Sequence, residues 1–150
     1  MPKRDCSKTL QRIDGELYLA TRVRKYVLLR LDSVLAQDPG ASYDHRIITV
    51  EHVLPQTPPE DSQWNQDFND EDRERWTHRI GNLLLLNRRS NSRAQNYDFE
   101  VKKGKYFTSD QGVAVFALTT QVLKEPTWTP AVIEERQRYL VDTLAKEWKL

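Results

Sequence analysis

Two titratable side chains, Glu51 and His52, stand next to each other. They follow the apolar, β-branched run Ile47-Ile48-Thr49-Val50 and directly precede Val53-Leu54-Pro55. A carboxylate can hold a hard cation, and an imidazole with an ordinary pKa of about 6.5 can take or give a proton near neutrality. The pair is therefore a place where chemistry could sit. Alone it decides little, because a single histidine at a strand end is more often a partnered structural residue than a catalyst. Downstream, His78, Asn82 directly after Gly81, and then Asn87, Asn91 and Asn96 follow in order.

Charge is distributed unevenly around these residues. From Glu51 to Glu74 eight acids stand against Arg73 alone. From Arg75 to Lys105 the balance reverses, with Arg75, Arg79, Arg88, Arg89, Arg93, Lys102, Lys103 and Lys105 against Asp98 and Glu100. Tyr97, Phe99, Tyr106 and Phe107 are interleaved with this basic block. Such a block can contact phosphates, since neutralising them supplies most non-specific affinity for nucleic acid. A solvated helical face is the plainer explanation of the same charges.

The elements that must position these residues follow from periodicity. Leu17, Ala20, Val23, Val27, Leu31, Val34 and Leu35 keep helical spacing, so an amphipathic helix is expected over 17–35, ending near Asp38-Pro39-Gly40. Ile47 to Val53 reads as a strand ended by Pro55, Pro58 and Pro59. Asn69-Asp70-Glu71-Asp72 reads as the capped first turn of a short helix reaching about His78. Leu83 to Leu86, between Gly81-Asn82 and Asn87, is too short for a helix and reads as a buried strand. Thr129-Pro130 opens a final helix through Ile133, Arg136, Leu140, Leu144 and Trp148. The expected class is α+β, mainly helical around a short β-hairpin.

The 150 residues, 38% of them hydrophobic, can bury one ordinary core, so a single domain over 1–150 is expected. With 30% charged residues, no stretch approaches the roughly 20 apolar residues of a membrane span. The start, MPKRDCSKTLQRIDG, has basic residues but no apolar run after them, which argues against a signal peptide or anchor. Cys6 is the single cysteine; it permits neither an internal disulfide nor a multi-cysteine zinc site and suits a reducing compartment, so the cytoplasm is the expected location. No GxxxxGK[ST] phosphate loop is present.

The motifs EHVLPQ from Glu51, W-x-H-R-I-G-N-L-L-L-L from Trp76, N-S-R from Asn91 and F-x-x-K-K from Phe99 occur in that order. Together they resemble the C-terminal HNH (ββα-metal) nuclease domain of GmrSD-type modification-dependent restriction endonucleases. The resemblance is strong over 49–107 and weaker through W-T-P-x-x-I-x-x-R to Trp148. It implies a ββα-metal finger inside the helical domain and a metal-dependent DNA endonuclease, the effector of an anti-phage restriction system. It further implies that the chain is the C-terminal part of a longer protein, in which a ParB-like nucleotide-hydrolysing domain senses the modification.

The same resemblance assigns roles residue by residue. His52 stands at the general base, Asn82 at the asparagine that steadies the hairpin around it, and Asn91 at the third, metal-binding letter; these three form the expected catalytic set. Glu51 occupies a position that is often a metal-binding aspartate and is longer by one methylene, so Glu51 and Asn91 are the expected ligands. Asn87 and Asn96 compete with Asn91. Without paired cysteines, the zinc-ribbon support of many HNH proteins is missing, and the leucine strand and outer helices must brace the site. Few oxygen ligands suit Mg²⁺ or Mn²⁺ better than zinc. Arg79, Arg88, Arg89, Arg93, Lys102, Lys103 and Lys105 are the expected DNA contacts. His78 is expected to be structural or a phosphate contact, and Trp64, Trp76, Trp128 and Trp148 to be core. Two other readings are a catalytically silent nucleic-acid- or protein-binding module with an HNH-like fold, and a nuclease toxin held by an immunity protein.

Overall fold

The computed structural model describes residues 3–37, 47–87, 89, 94–108 and 116–150. The elements in chain order are α1 (Lys3–Ile13), a 3-10 turn (Leu17–Leu19), α2 (Arg24–Leu35), β1 (Thr49–His52), α3 (Gln63–Asp67) and α4 (Asp70–Trp76). A 3-10 turn (Ile80–Asn82) then leads into β2 (Leu83–Leu86), a further 3-10 turn (Ala94–Asn96), α5 (Phe99–Lys105), α6 (Ala117–Leu123) and α7 (Pro130–Glu147). The mainly helical α+β class expected from the sequence is what forms. No described helix is long and apolar enough to cross a membrane.

The two strands pair antiparallel, with Thr49 opposite Leu86 and His52 opposite Leu83. All four leucines of β2 are buried, because both faces of the hairpin are covered. Leu83 and Leu85 pack on one side with Ile13, Leu17, Leu28, Leu31, Leu140 and Leu144. Leu84 and Leu86 pack on the other side with Val53, Leu54, Trp64, Phe68 and Trp128. An uninterrupted leucine run is the pattern a strand shows when neither face meets water.

Helix α7 locks the turn before β2 in place. Thr129 Oγ1 accepts from the Val132 amide and Pro130 occupies the first turn, as expected at this helix start. Arg136, buried, donates from Nη1 to the Gly81 and Leu83 carbonyls at 2.9 and 2.8 Å and from Nη2 to Leu118 O at 3.1 Å. Gln137 Oε1 accepts from the Gly81 amide at 2.7 Å. A Cβ on Gly81 would lie 2.7 Å from Ile133 O, so only glycine lets the turn approach the helix this closely. Helix α4 carries the expected capping box, Asn69 Oδ1 accepting from the Asp72 amide and Asp72 accepting from the Asn69 amide.

Two departures from the sequence reading matter for the site. The helix expected over 17–35 is broken, and α2 starts only at Arg24. Both backbone groups of Tyr18 are taken by tertiary partners instead of a continuing helix. Its amide donates to His78 O at 3.0 Å, and its carbonyl accepts from Arg24 Nη1 at 2.7 Å. Helix α1, which the periodicity did not single out, packs against α7.

Candidate active site

A cleft of about 330 Å³ opens where β1 ends, lined by Glu51, His52, Pro55, Gln56, Thr57, Gln95 and Asn96. Glu51 and His52 are set into its wall at 3% and 7% exposure, whereas Asn96 is exposed. The shape of the strand end comes from Asn82. Its backbone carbonyl accepts from the Val53 amide at 2.9 Å, extending the ladder by one bond. Its side chain then takes over from the ladder: Oδ1 accepts from the Leu54 amide at 2.8 Å and from Trp128 Nε1 at 3.1 Å. Nδ2 donates to Leu54 O at 3.0 Å and Thr77 O at 2.9 Å. The amide is fully buried and uses both donors and both acceptor sites. It does not line the cleft, and acts on the site through the loop it holds.

His52 sits among rings and cations. Its Nε2 is 3.1 Å from His78 Nδ1, and its ring centroid is 4.1 Å from that of Tyr18. His78 stacks on Tyr18 with 13° between the planes, and the Arg24 guanidinium lies 4.0 Å from the centre of the Tyr18 ring. Burial, followed by the nearby His78, Lys102 and Arg24, pushes the His52 pKa from 6.5 down to about 3. The ring is therefore neutral around pH 7. Below pH 6.5 the unfolded chain takes up a proton that the folded chain refuses until about pH 3. Folding stability contributed by neutral His52 is present above that window and is lost as the pH falls through it. Urea denaturation in chelator from pH 7 to pH 4 is expected to show stability falling, with a shallower fall in His52→Ala; equal slopes in the two proteins would contradict this.

The expected phosphate contacts separate once their surroundings are seen. Lys102 is the clear correction: it is 0% exposed, and its Nζ donates to the carbonyls of His52 at 3.1 Å and Val53 at 2.9 Å. Burial brings its pKa down to about 7, with Glu51 pulling the other way. It is an anchor for the strand end inside the core. Lys103 pairs with Glu100 at 3.0 Å and donates to Glu125 O at 3.0 Å, and Arg79 donates to Asp14 O at 3.1 Å. Lys105 and Arg89 are exposed. Arg88, Arg93 and Asn91 lie outside the described residues, as does His45.

A consequence can be measured. Lys102→Ala is expected to destabilise the fold by about 1–3 kcal/mol through the two abandoned carbonyls, and to leave the salt dependence of DNA binding unchanged. Urea unfolding with fluorescence anisotropy across a salt series checks both. A salt slope reduced by about one, with stability intact, would return Lys102 to the phosphate-contacting set.

The cleft's donors suit a hard cation: the Glu51 carboxylate with the amide oxygens of Asn96 and Gln95 and the Thr57 hydroxyl nearby. Tyr18, Arg24, His78 and the cleft residues Gln56, Thr57 and Gln95 were not given a place at this site by the sequence reading. The approach of Tyr18, Arg24 and His78 to His52 is long-range and leaves no local pattern. Comparison with curated proteins gave no match. Residues 4–143 match the family described as "GmrSD restriction endonucleases, C-terminal domain". With the matched segment running nearly its full length, the chain belongs to the C-terminal domain family of the GmrSD restriction endonucleases.

Proposed function

We propose that this domain hydrolyses phosphodiester bonds of DNA in a divalent-cation-dependent, HNH-type reaction, as the effector of an anti-phage restriction system in the cytoplasm. The observation that carries the reading is the shared cleft of Glu51 and His52, a carboxylate and a neutral imidazole at one strand end. Helix α5, which follows the hairpin in sequence, reaches back through Lys102 to the His52 and Val53 carbonyls, in keeping with a ββα finger. Modification sensing would fall to a ParB-like nucleotide-hydrolysing domain N-terminal to this one.

Mg²⁺ or Mn²⁺ would be held by Glu51 with Asn91 as its partner, or with Asn96 from the cleft wall. Bound there, the cation would supply positive charge for the departing 3′ oxygen and the non-bridging oxygens. His52 takes the proton of the attacking water. A pKa near 3 makes a weak base, but an entering phosphodiester brings negative charge beside the ring, which favours the imidazolium and raises its proton affinity in the complex. Lys102 and Asn82 hold the strand end still from behind. Supercoiled plasmid incubated with the chain is expected to be nicked with Mg²⁺ or Mn²⁺, to survive in EDTA, and to be nicked again when the metal is restored. Plasmid left intact under all metal conditions would favour the catalytically silent reading.

A further inference from the structure

The bond between two imidazoles has a consequence for which nitrogen of His52 can react. A neutral imidazole carries one N–H and one lone pair, so a partner at one nitrogen decides what the other offers. His52 Nε2 is taken by His78 Nδ1 at 3.1 Å, and His52 Nδ1 has no hydrogen-bond partner among the described residues. His52 also lines the cleft, whereas His78 opens with Glu16, Asp70, Glu74 and Thr77 onto a second hollow of about 370 Å³, which shares Gln56 with the cleft.

We propose that His78 is a positioning residue for His52: its Nδ1 accepts the hydrogen bond from His52 Nε2–H and so leaves the Nδ1 lone pair of His52 as the proton acceptor in the cleft. The inference rests on the nuclease reading above. In the opposite arrangement, with His78 Nδ1–H donating, His52 would present an N–H to the attacking water and could not take its proton. The bookkeeping of the step is simple. The O–H bond of the water breaks and its proton binds His52 Nδ1, the oxygen lone pair attacks phosphorus, and the bond from phosphorus to the 3′ oxygen breaks with its electron pair on that oxygen, which takes a proton from solvent; Nε2–H stays on His52, hydrogen-bonded to His78.

The frame around the pair is built to hold one geometry. Tyr18 contacts both imidazoles, and its amide is bonded to the His78 carbonyl at 3.0 Å. Arg24 fixes Tyr18 in turn, through the carbonyl and over the ring. The 3-10 turn ahead of α2 thus places an aromatic wedge where the two histidines meet.

The test separates packing from hydrogen bonding. His78→Phe keeps a ring against Tyr18 and removes the acceptor. His78→Asn keeps an acceptor, because Oδ1 is as many bonds from Cα as Nδ1 of histidine. The expected result is a fall in kcat of about tenfold to hundredfold for His78→Phe with KM within twofold, and recovery to within about fivefold of the parent for His78→Asn. Nitrogen-15 NMR of the metal-free parent, with ring signals assigned by the His52 and His78 variants, is expected to show His52 as the Nε2–H tautomer. A His78→Phe protein that cuts within threefold of the parent, or an Nδ1–H tautomer at His52, overturns the inference. If instead the parent leaves plasmid intact under all metal conditions, it is the nuclease reading that fails, and the NMR result still decides the tautomer; a His52→Ala protein that still cuts removes His52 as the base and overturns the inference.

Discussion

His52→Ala is expected to lower the rate of DNA nicking by about 10² to 10⁴-fold at saturating metal, the usual loss when a general base is removed. Near neutral pH the loss of stability should stay within about 1–3 kcal/mol, the cost of the part-buried hydrogen bond to His78. The ring is neutral there, its side chain makes one hydrogen bond among the described residues, and the anchoring of its backbone carbonyl by Lys102 does not depend on the side chain. Single-turnover nicking with circular dichroism on the same samples checks both halves. A folded variant that retains activity within threefold would remove His52 from the mechanism.

The other large effect falls on the fold. Asn82→Ala would leave the Leu54 amide and carbonyl, the Thr77 carbonyl and Trp128 Nε1 unpaired in a fully buried setting. Each unsatisfied group costs about 1–3 kcal/mol, and their loss together is expected to reach about 3–5 kcal/mol because relaxation recovers part of it. Against a typical domain stability of about 5–15 kcal/mol, such a loss puts folding itself at risk. Urea titration should show the unfolding midpoint drop sharply, with activity lost in proportion to the folded fraction. A midpoint unchanged from the parent together with abolished cleavage would instead give Asn82 a direct part in the chemistry.

Much of the scaffold was legible because its signals are local. The β-branched run into Glu51, the four leucines before Asn87, the Asn69 box and the Thr129-Pro130 start each declare an element within a few residues, and each formed close to its expected bounds. What could not be read depends on partners distant in sequence. Tyr18 meets His78 across sixty positions of the numbering and breaks a helix that its own periodicity supports. Lys102 and Lys103 are neighbours in a basic block, yet consecutive helical residues point in different directions. One side chain of α5 is buried under the strand end and the other stays at the rim. Composition counts both as charges available to phosphate; only packing tells them apart. Arg136 teaches the same lesson from α7, where a charge at a helical core position serves three backbone carbonyls.

The central claim is that Glu51 and His52 share one cleft as metal ligand and base, and the nicking rate measured against Mn²⁺ concentration addresses it most directly. Parent, Glu51→Gln and His52→Ala proteins are compared on supercoiled plasmid, with EDTA as the zero point. The parent should show no cutting in EDTA and a rate that saturates with Mn²⁺. Glu51→Gln should need a higher Mn²⁺ concentration to reach its half-maximal rate, and His52→Ala should stay near zero at every concentration. Cutting by the parent that is equal in EDTA and Mn²⁺, or a His52→Ala curve that overlays the parent's, would contradict it.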